Sequence, residues 1–307
     1  MTNLYFVKRI LFFFPLLLAA SFLAFVLVRL VPGGPFDRER KPASPEIERH
    51  LLAQYHLDEP LFKQYFRYLR GLLHGDFGPS LKYRNHSVTD IIVQGLPVSL
   101  TLGAASFCLA LGVGIPLGIW TALHKGQWKE LAGNGAALLA ICVPGLVIGP
   151  LLVMCFAIKL RWFPVALWGS PRHAVLPVLT LGLYFAGRVA RLMREGMLAT
   201  LPAEFITTAR AKGLGPWGIV AKHAFRIAVL PVVSYCGPLL ADLLTGSFIV
   251  ENLFQIPGIG VFLVNGCLDR DYTLVVGLVL LYSALLLTLN LLVDLAYGWL
   301  DPRVRLD

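Results

Sequence analysis

Runs of apolar residues long enough to cross a bilayer constrain this chain more than any other feature. Six stretches stand out, at about 10–30, 97–122, 135–158, 174–193, 227–250 and 273–299. Each reaches the length needed to cross roughly 30 Å of hydrocarbon at about 1.5 Å per helical residue. Within hydrocarbon every backbone N–H and C=O has to find its partner inside the segment or in a closed barrel. Runs of this length therefore predict an all-α integral membrane protein with six transmembrane helices. Composition agrees: 57% of the 307 residues are hydrophobic and 15% charged, whereas a soluble domain carries roughly a quarter charged residues.

The first run, ILFFFPLLLAASFLAFVLV after Lys8-Arg9, has the layout of a signal peptide. Its length of about 19 apolar residues is that of a spanning helix, so a retained first span with an inside N-terminus is expected. With that start, the inner segments carry Lys8, Arg9, Lys125, Lys129, Arg188, Arg191, Arg194, Arg210, Lys212, Lys222, Arg226, Arg303 and Arg305. The short outer loops carry only Lys159, Arg161, Arg172 and Arg270. Thirteen against four satisfies the positive-inside bias and puts both termini inside. Arg188 and Arg191 shorten the fourth run and are expected to snorkel to the interface. The net charge of +9 is thereby assigned to loops facing anionic lipid and partners, not to nucleic acid.

Three divisions follow: the N-terminus and first span at 1–30, an exported segment at 31–96, and a membrane core at 97–307. In the exported segment Ser44-Pro45-Glu46 and Asp58-Glu59-Pro60 are helix starts. After the second, Leu61, Phe62, Tyr65, Phe66, Leu69, Leu72 and Leu73 recur at helical spacing up to Gly71 and Gly75. Two short amphipathic helices are expected there, as a cap that shields the bundle or offers a docking surface. Glycine pairs Gly114/Gly118 and Gly145/Gly149 permit close helix approach.

Little catalytic chemistry is visible. Cys108, Cys142, Cys155, Cys236 and Cys267 form no C-x-x-C pair and read as small buried hydrophobes. No G-x-x-x-x-G-K-[ST] occurs, so no P-loop cradles a phosphate. Gly213, Gly215 and Gly218 spell G-x-G-x-x-G, but after a helix and among basic residues. No catalytic residue, cofactor site or metal site is expected in the chain.

One segment breaks the apolar monotony: EFITTARAKGLGPWGIVAKHAF, 204–225. Pro202 opens a helix of about 11 residues, Glu204 stands at its positive end, Arg210 and Lys212 at its negative end, and Gly213 supplies a left-handed stop. Leu201, Phe205 and Ala209 share one face. Gly215-Pro216 starts a second short helix, Trp217 to about Phe225. Such a hairpin either seats in a socket on another protein or lies on anionic lipid.

The segment resembles the cytoplasmic loop of binding-protein-dependent ABC importer permeases, whose pattern runs E-A-A, three residues, Gly, nine residues, I-x-L-P. Gly213 and Ala209 match, Thr207 replaces the Glu, and the Leu-Pro falls at Leu230-Pro231. These departures are similar to the peptide-transporting branch, as are HGDFGPSLKYRNHSVTDII (74–92), GPLLVMCFAIKL (149–160), ENLFQIPGIGVFLVNG (251–266), DRDY (269–272) and DPRVR (301–305). Dipeptide and nickel permeases share much of this pattern. The resemblance implies a type I ABC importer permease fold in a cell inner membrane. It also implies a second homologous permease subunit, two ATPase subunits that bind the ATP and Mg²⁺, and a periplasmic peptide-binding protein. Glu204, Phe205, Ala209, Arg210, Ala211, Lys212, Gly213 and His223 would then form the ATPase-coupling loop. Glu251, Phe254, Pro257, Gly258 and Gly260 would border the external gate, as a re-entrant turn or a plain outer loop.

Asp242 lies well inside the fifth run. An intramembrane acid is costly and marks a pathway by default, or else is a water-facing or protonated residue tolerated by the bundle. Asp294 is expected to pair with an interfacial Arg or Lys. An ion-coupled secondary transporter, the rival class, wants several such acids.

Overall fold

The computed structural model describes residues 2–31, 50, 52–83 and 86–300, and its regular elements there are all helices. They are α1 (Thr2–Leu30), α2 (Leu61–Leu72), α3 (Val88–Leu123), α4 (Trp128–Cys142) and α5 (Gly145–Leu152), which continues as a π-helical stretch, Val153–Lys159. Then come α6 (Pro171–Thr200), α7 (Glu204–Ala211) and α8 (Pro216–Ile219), the last continuing through a π-helical stretch, Val220–Ala224, into α9 (Phe225–Ala228). The chain goes on as α10 (Leu230–Leu253), α11 (Ile259–Asp269) and α12 (Tyr272–Leu300). The helix start expected at Ser44 lies outside the described residues, as does the side chain of Asp294.

Among the described residues, four helical stretches are long and apolar enough to cross a membrane: Leu11–Leu30, Val88–Leu123, Pro171–Thr200 and Tyr272–Leu292. Two bent pairs, each counted as one span, bring the number to as many as six. Trp128–Cys142 and Gly145–Lys159 meet at 103°, and Trp217–Ala228 and Leu230–Leu243 at 52°. The third apolar run is thus a broken element and not one straight helix. Val143 is held extended (ψ 117°) before Pro144, because the proline ring excludes the helical region for its predecessor. The second span differs too, since its helix starts at Val88, well before the apolar run, and passes Pro97 without interruption.

The chain divides into two compact units, residues 1–99 with 257–287 and 306–307, and residues 100–256 with 288–305. In the first, α2 lies along α1. Tyr65 packs edge-on against Phe22 and Phe25, and its hydroxyl is 2.9 Å from Ser21 Oγ. Of the apolar positions of α2 and its C-cap Leu73, Tyr65 turns inward with Tyr68 and Leu69 against Ala24, Phe25 and Val276, while Phe62, Phe66 and Leu73 stay exposed. Gln64 ties this packing together. Its amide donates to the Leu57 and Glu59 carbonyls and accepts from Arg29 at 2.9 Å.

Asp271 organises the other end of this unit. The carboxylate is fully buried and caps α12 by accepting from Leu274 N–H at 3.1 Å. Its second oxygen accepts from Ser80 Oγ and from the backbone N–H of Leu81 and Lys82. Val88, Ile91, Ile92, Ile259, Leu274 and Leu278 form the adjoining core.

In the second unit α6 is the central helix, with α4, α5, α9 and α10 packed on it. The expected Gly114/Gly118 pair sits against this helix. A Cβ on either glycine would come within 2.7 and 2.5 Å of the Ala186 and Ala190 carbonyl oxygens, respectively. Arg194 donates to Glu130 and joins α6 to α4. The cysteines correct the sequence expectation. Cys108, Cys142, Cys155 and Cys267 are exposed and Cys236 half-buried, because their apolar stretches supply outer helix surfaces as well as core.

Candidate functional site

The segment 204–228 folds as a helix, a glycine corner and a second, π-distorted helix. Glu204 stands in the first turn of α7 and Arg210 in its last, each at the end of the helix dipole that favours its charge. The helix is shorter than expected, because it starts after Ala203 and not at Pro202. Gly213 holds φ +80°. Its N–H donates to the Arg210 carbonyl at 2.9 Å, and the Leu214 N–H reaches back to Ala209 O at 3.3 Å. This pair of bonds is a Schellman stop, which needs a residue in the left-handed region at Gly213.

Burial divides the hairpin into a root and a tip surface. Ile206, Ala209, Ile219, Val220, Ala224 and Ala228 are buried, and α9 packs on α6. Glu204, Arg210, Ala211, Lys212, Gly213 and Lys222 are exposed, and His223 is half-buried. Phe205 is 41% exposed and Trp217 74%. Aromatic and basic side chains thus share the outer surface of an element whose inner face is fixed. Ile206, which the sequence pattern passed over, is the buried anchor of α7. The expected Phe205/Ala209 face is split, with Ala209 inside and Phe205 half outside.

Asp242 is not isolated. Its carboxylate lies 4.0 Å from Arg188 Nη1. Arg188 also donates to Tyr235 Oη at 3.3 Å and to Tyr184 Oη. Arg188 thus joins a polar cluster between α6 and α10, with partners that the sequence expectation did not supply. Arg191 pairs along its own helix with Glu195 at 3.1 Å.

The residues expected at the external gate separate between the units. In the second, Glu251 is buried and accepts from Ser247 Oγ at 2.9 Å, and the buried Phe254 accepts at its carbonyl from Leu167 N–H. In the first, Gly258 is the N-cap of α11, Gly260 lies within that helix, and Pro257 is exposed. The Ile259 N–H donates to Ser99 Oγ at 2.9 Å. At 11 residues, α11 is about 16 Å long, too short to cross hydrocarbon.

A family model described as binding-protein-dependent transport system inner membrane component matches residues 114–306, which include the hairpin and the Arg188–Asp242 cluster. The chain belongs to this family. Among permease relatives, the oligopeptide transport system permease protein OppB of Haemophilus influenzae is 42% identical over 300 residues, spanning 97% of this chain and 98% of the relative. The dipeptide transport system permease protein DppB of Bacillus subtilis is 41% identical over 302 residues, spanning 98% of each. Among solved structures, an inward-facing conformation of the MetNI methionine ABC transporter aligns with a TM-score of 0.58 at 17% identity. The alignment covers 69% of this chain and 96% of that one. This last likeness shows the ABC importer permease fold, which the chain shares.

Proposed function

We propose that the chain is the transmembrane permease subunit of an ATP-driven importer of oligopeptides, working beside a second homologous permease subunit in a cell inner membrane. Identity of 42% across nearly the whole chain to a relative named as an oligopeptide permease carries this reading. An extended peptide exposes unpaired amide groups, each costing several kcal/mol in hydrocarbon. Its path is therefore a hydrated cavity between two permease subunits, opened to one side at a time. A periplasmic binding protein delivers the peptide.

The energy enters from two ATPase subunits, which hold the ATP and Mg²⁺. Residues 204–228 face the cytoplasm with both termini, and Phe205, Trp217, Arg210 and Lys212 seat in a cleft of one ATPase. The Schellman stop makes the corner stiff, and α9 carries the displacement into α6 and α10. Glu251, Phe254, Pro257, Gly258 and Gly260 border the periplasmic gate.

The test is uptake of a labelled oligopeptide by the complete complex in proteoliposomes. Uptake that requires ATP and resists an ionophore is expected. Uptake that survives ATP depletion and collapses with an ionophore would assign the chain to the secondary transporters. A dipeptide cargo is the second reading, favoured by the 41% identity to the dipeptide permease. Competition between dipeptides and longer peptides separates the two.

A further inference from the structure

Between α6 and α10 of the second unit lies a polar patch that the coupling role does not use. Tyr184 and Arg188 are one turn apart on α6, and Tyr235 and Asp242 two turns apart on α10, so each pair shares a helix face. Arg188 Nη1 donates to Tyr235 Oη at 3.3 Å and Nη2 to Tyr184 Oη, and the guanidinium lies 4.7 Å from the Tyr184 ring centroid. Asp242 Oδ2 is 4.0 Å from Nη1, beyond hydrogen-bond length. Arg188 is therefore held by two neutral hydroxyls and a ring, and only loosely by its counter-ion. A guanidinium has five N–H donors in a planar fork that matches a carboxylate, and the tyrosines occupy two of them.

Both charged side chains remain open, Arg188 at 40% and Asp242 at 52% exposure, midway along helices that cross the membrane. Charges facing hydrocarbon at that depth are expensive, so this surface adjoins water or protein. The same unit shows an ion pair built for structure. Arg194 donates directly to Glu130, with side-chain exposures of 23% and 15%. The Arg188–Asp242 pair is looser and more open, as a pair must be if a passing ligand is to exchange with one member.

We propose that Arg188 is a carboxylate-binding station on the transport path, and that Asp242 is the resident counter-ion which a peptide's carboxylate displaces. The inference rests on the reading of the chain as a peptide permease. The carboxylate comes from the peptide's C-terminus or from an acidic side chain.

The test uses the complete complex in proteoliposomes and three forms of one peptide. These are a free C-terminus without acidic side chains, the same sequence amidated, and the amidated form with one added Glu. Arg188→Gln is expected to lower the ratio of free to amidated uptake about tenfold, the usual worth of a charge-assisted hydrogen bond. Loss of the Glu-containing peptide as well would include side-chain carboxylates; its unchanged uptake would restrict the station to the terminus. Arg188→Lys, which keeps charge but not the fork, falls between. Asp242→Asn is expected to lower KM for the free-carboxylate peptide relative to the amidated one. It decides the matter alone if Arg188→Gln fails to assemble. Equal loss for all peptides, an unchanged ratio, or an unchanged KM ratio in Asp242→Asn would overturn the proposal. So would a photo-crosslinker at 188 captured by the second permease subunit and never by peptide. If the wild-type complex imports none of the peptides with ATP present, the reading of the chain as a peptide permease falls, and this one with it.

Discussion

Gly213 shows how much one residue can decide. A left-handed residue costs an ordinary side chain about 1–2 kcal/mol, more when β-branched, and here the same residue closes the α7 helix and sets the hairpin corner. Gly213→Val is expected to leave ATP hydrolysis running in the assembled complex while peptide uptake falls about tenfold or more. Gly213→Asn, which tolerates this conformation, should keep both coupled. Parallel ATPase and uptake assays read the difference. Asp271 gives a stability prediction. Removing its carboxylate strands two buried donors, Ser80 Oγ and Leu274 N–H, and two part-buried ones, so Asp271→Ala should cost about 3 kcal/mol and lower the Tm of the purified protein in detergent. Glu59 gives a pH prediction. Burial raises its carboxyl, but the Arg67 hydrogen bond and charge, with Lys63, outweigh this and hold it below the usual carboxylate range. A depressed folded value contributes stability that is complete above the unfolded value, about 4.3, and is lost as pH falls through the folded one. Hydrogen exchange in 57–67, corrected for its intrinsic pH dependence, should therefore rise below about pH 4, and Glu59→Gln should flatten the change. Gly213 was legible in the sequence because a glycine after a basic helix end has one local meaning. Asp271 was not, because its partners at 80–82 are remote in sequence. The partners of Arg188 were hidden for the same reason, since Tyr235 and Asp242 sit on another helix.

Among elements, the apolar runs were legible because hydrocarbon imposes length and composition on any spanning helix. Direction is not written in hydropathy. The 103° break after Cys142 leaves the apolar run intact, and only Pro144 hints at it. The start of α3 at Val88 was hidden similarly, as its first turns are half-polar and pack in the first unit's core. The glycine stripe of α3 was legible and has its consequence in packing. Gly118 faces the Ala190 carbonyl at a separation that leaves no room for a side chain. Gly118→Leu should force α3 from α6 and cost about 1–3 kcal/mol or more, seen as reduced yield of assembled complex. Gly112→Leu, at a position where a Cβ meets nothing within 4 Å, should be tolerated.

At the scale of the whole molecule, the proposed function requires two different mechanical properties in one chain. The spans have to shift between arrangements, while the hairpin that drives them has to be stiff. The structure offers both on the second unit: a glycine-lined packing surface between α3 and α6, and a corner fixed by two backbone bonds. The most direct measurement places a photo-reactive amino acid at Phe205, Lys212 or Trp217 in membranes where the complex imports peptide. Covalent capture of an ATPase subunit, changed in yield when ATP is added, is the predicted result. Continued import with no capture from any of these positions would contradict the claim that this hairpin is the coupling element.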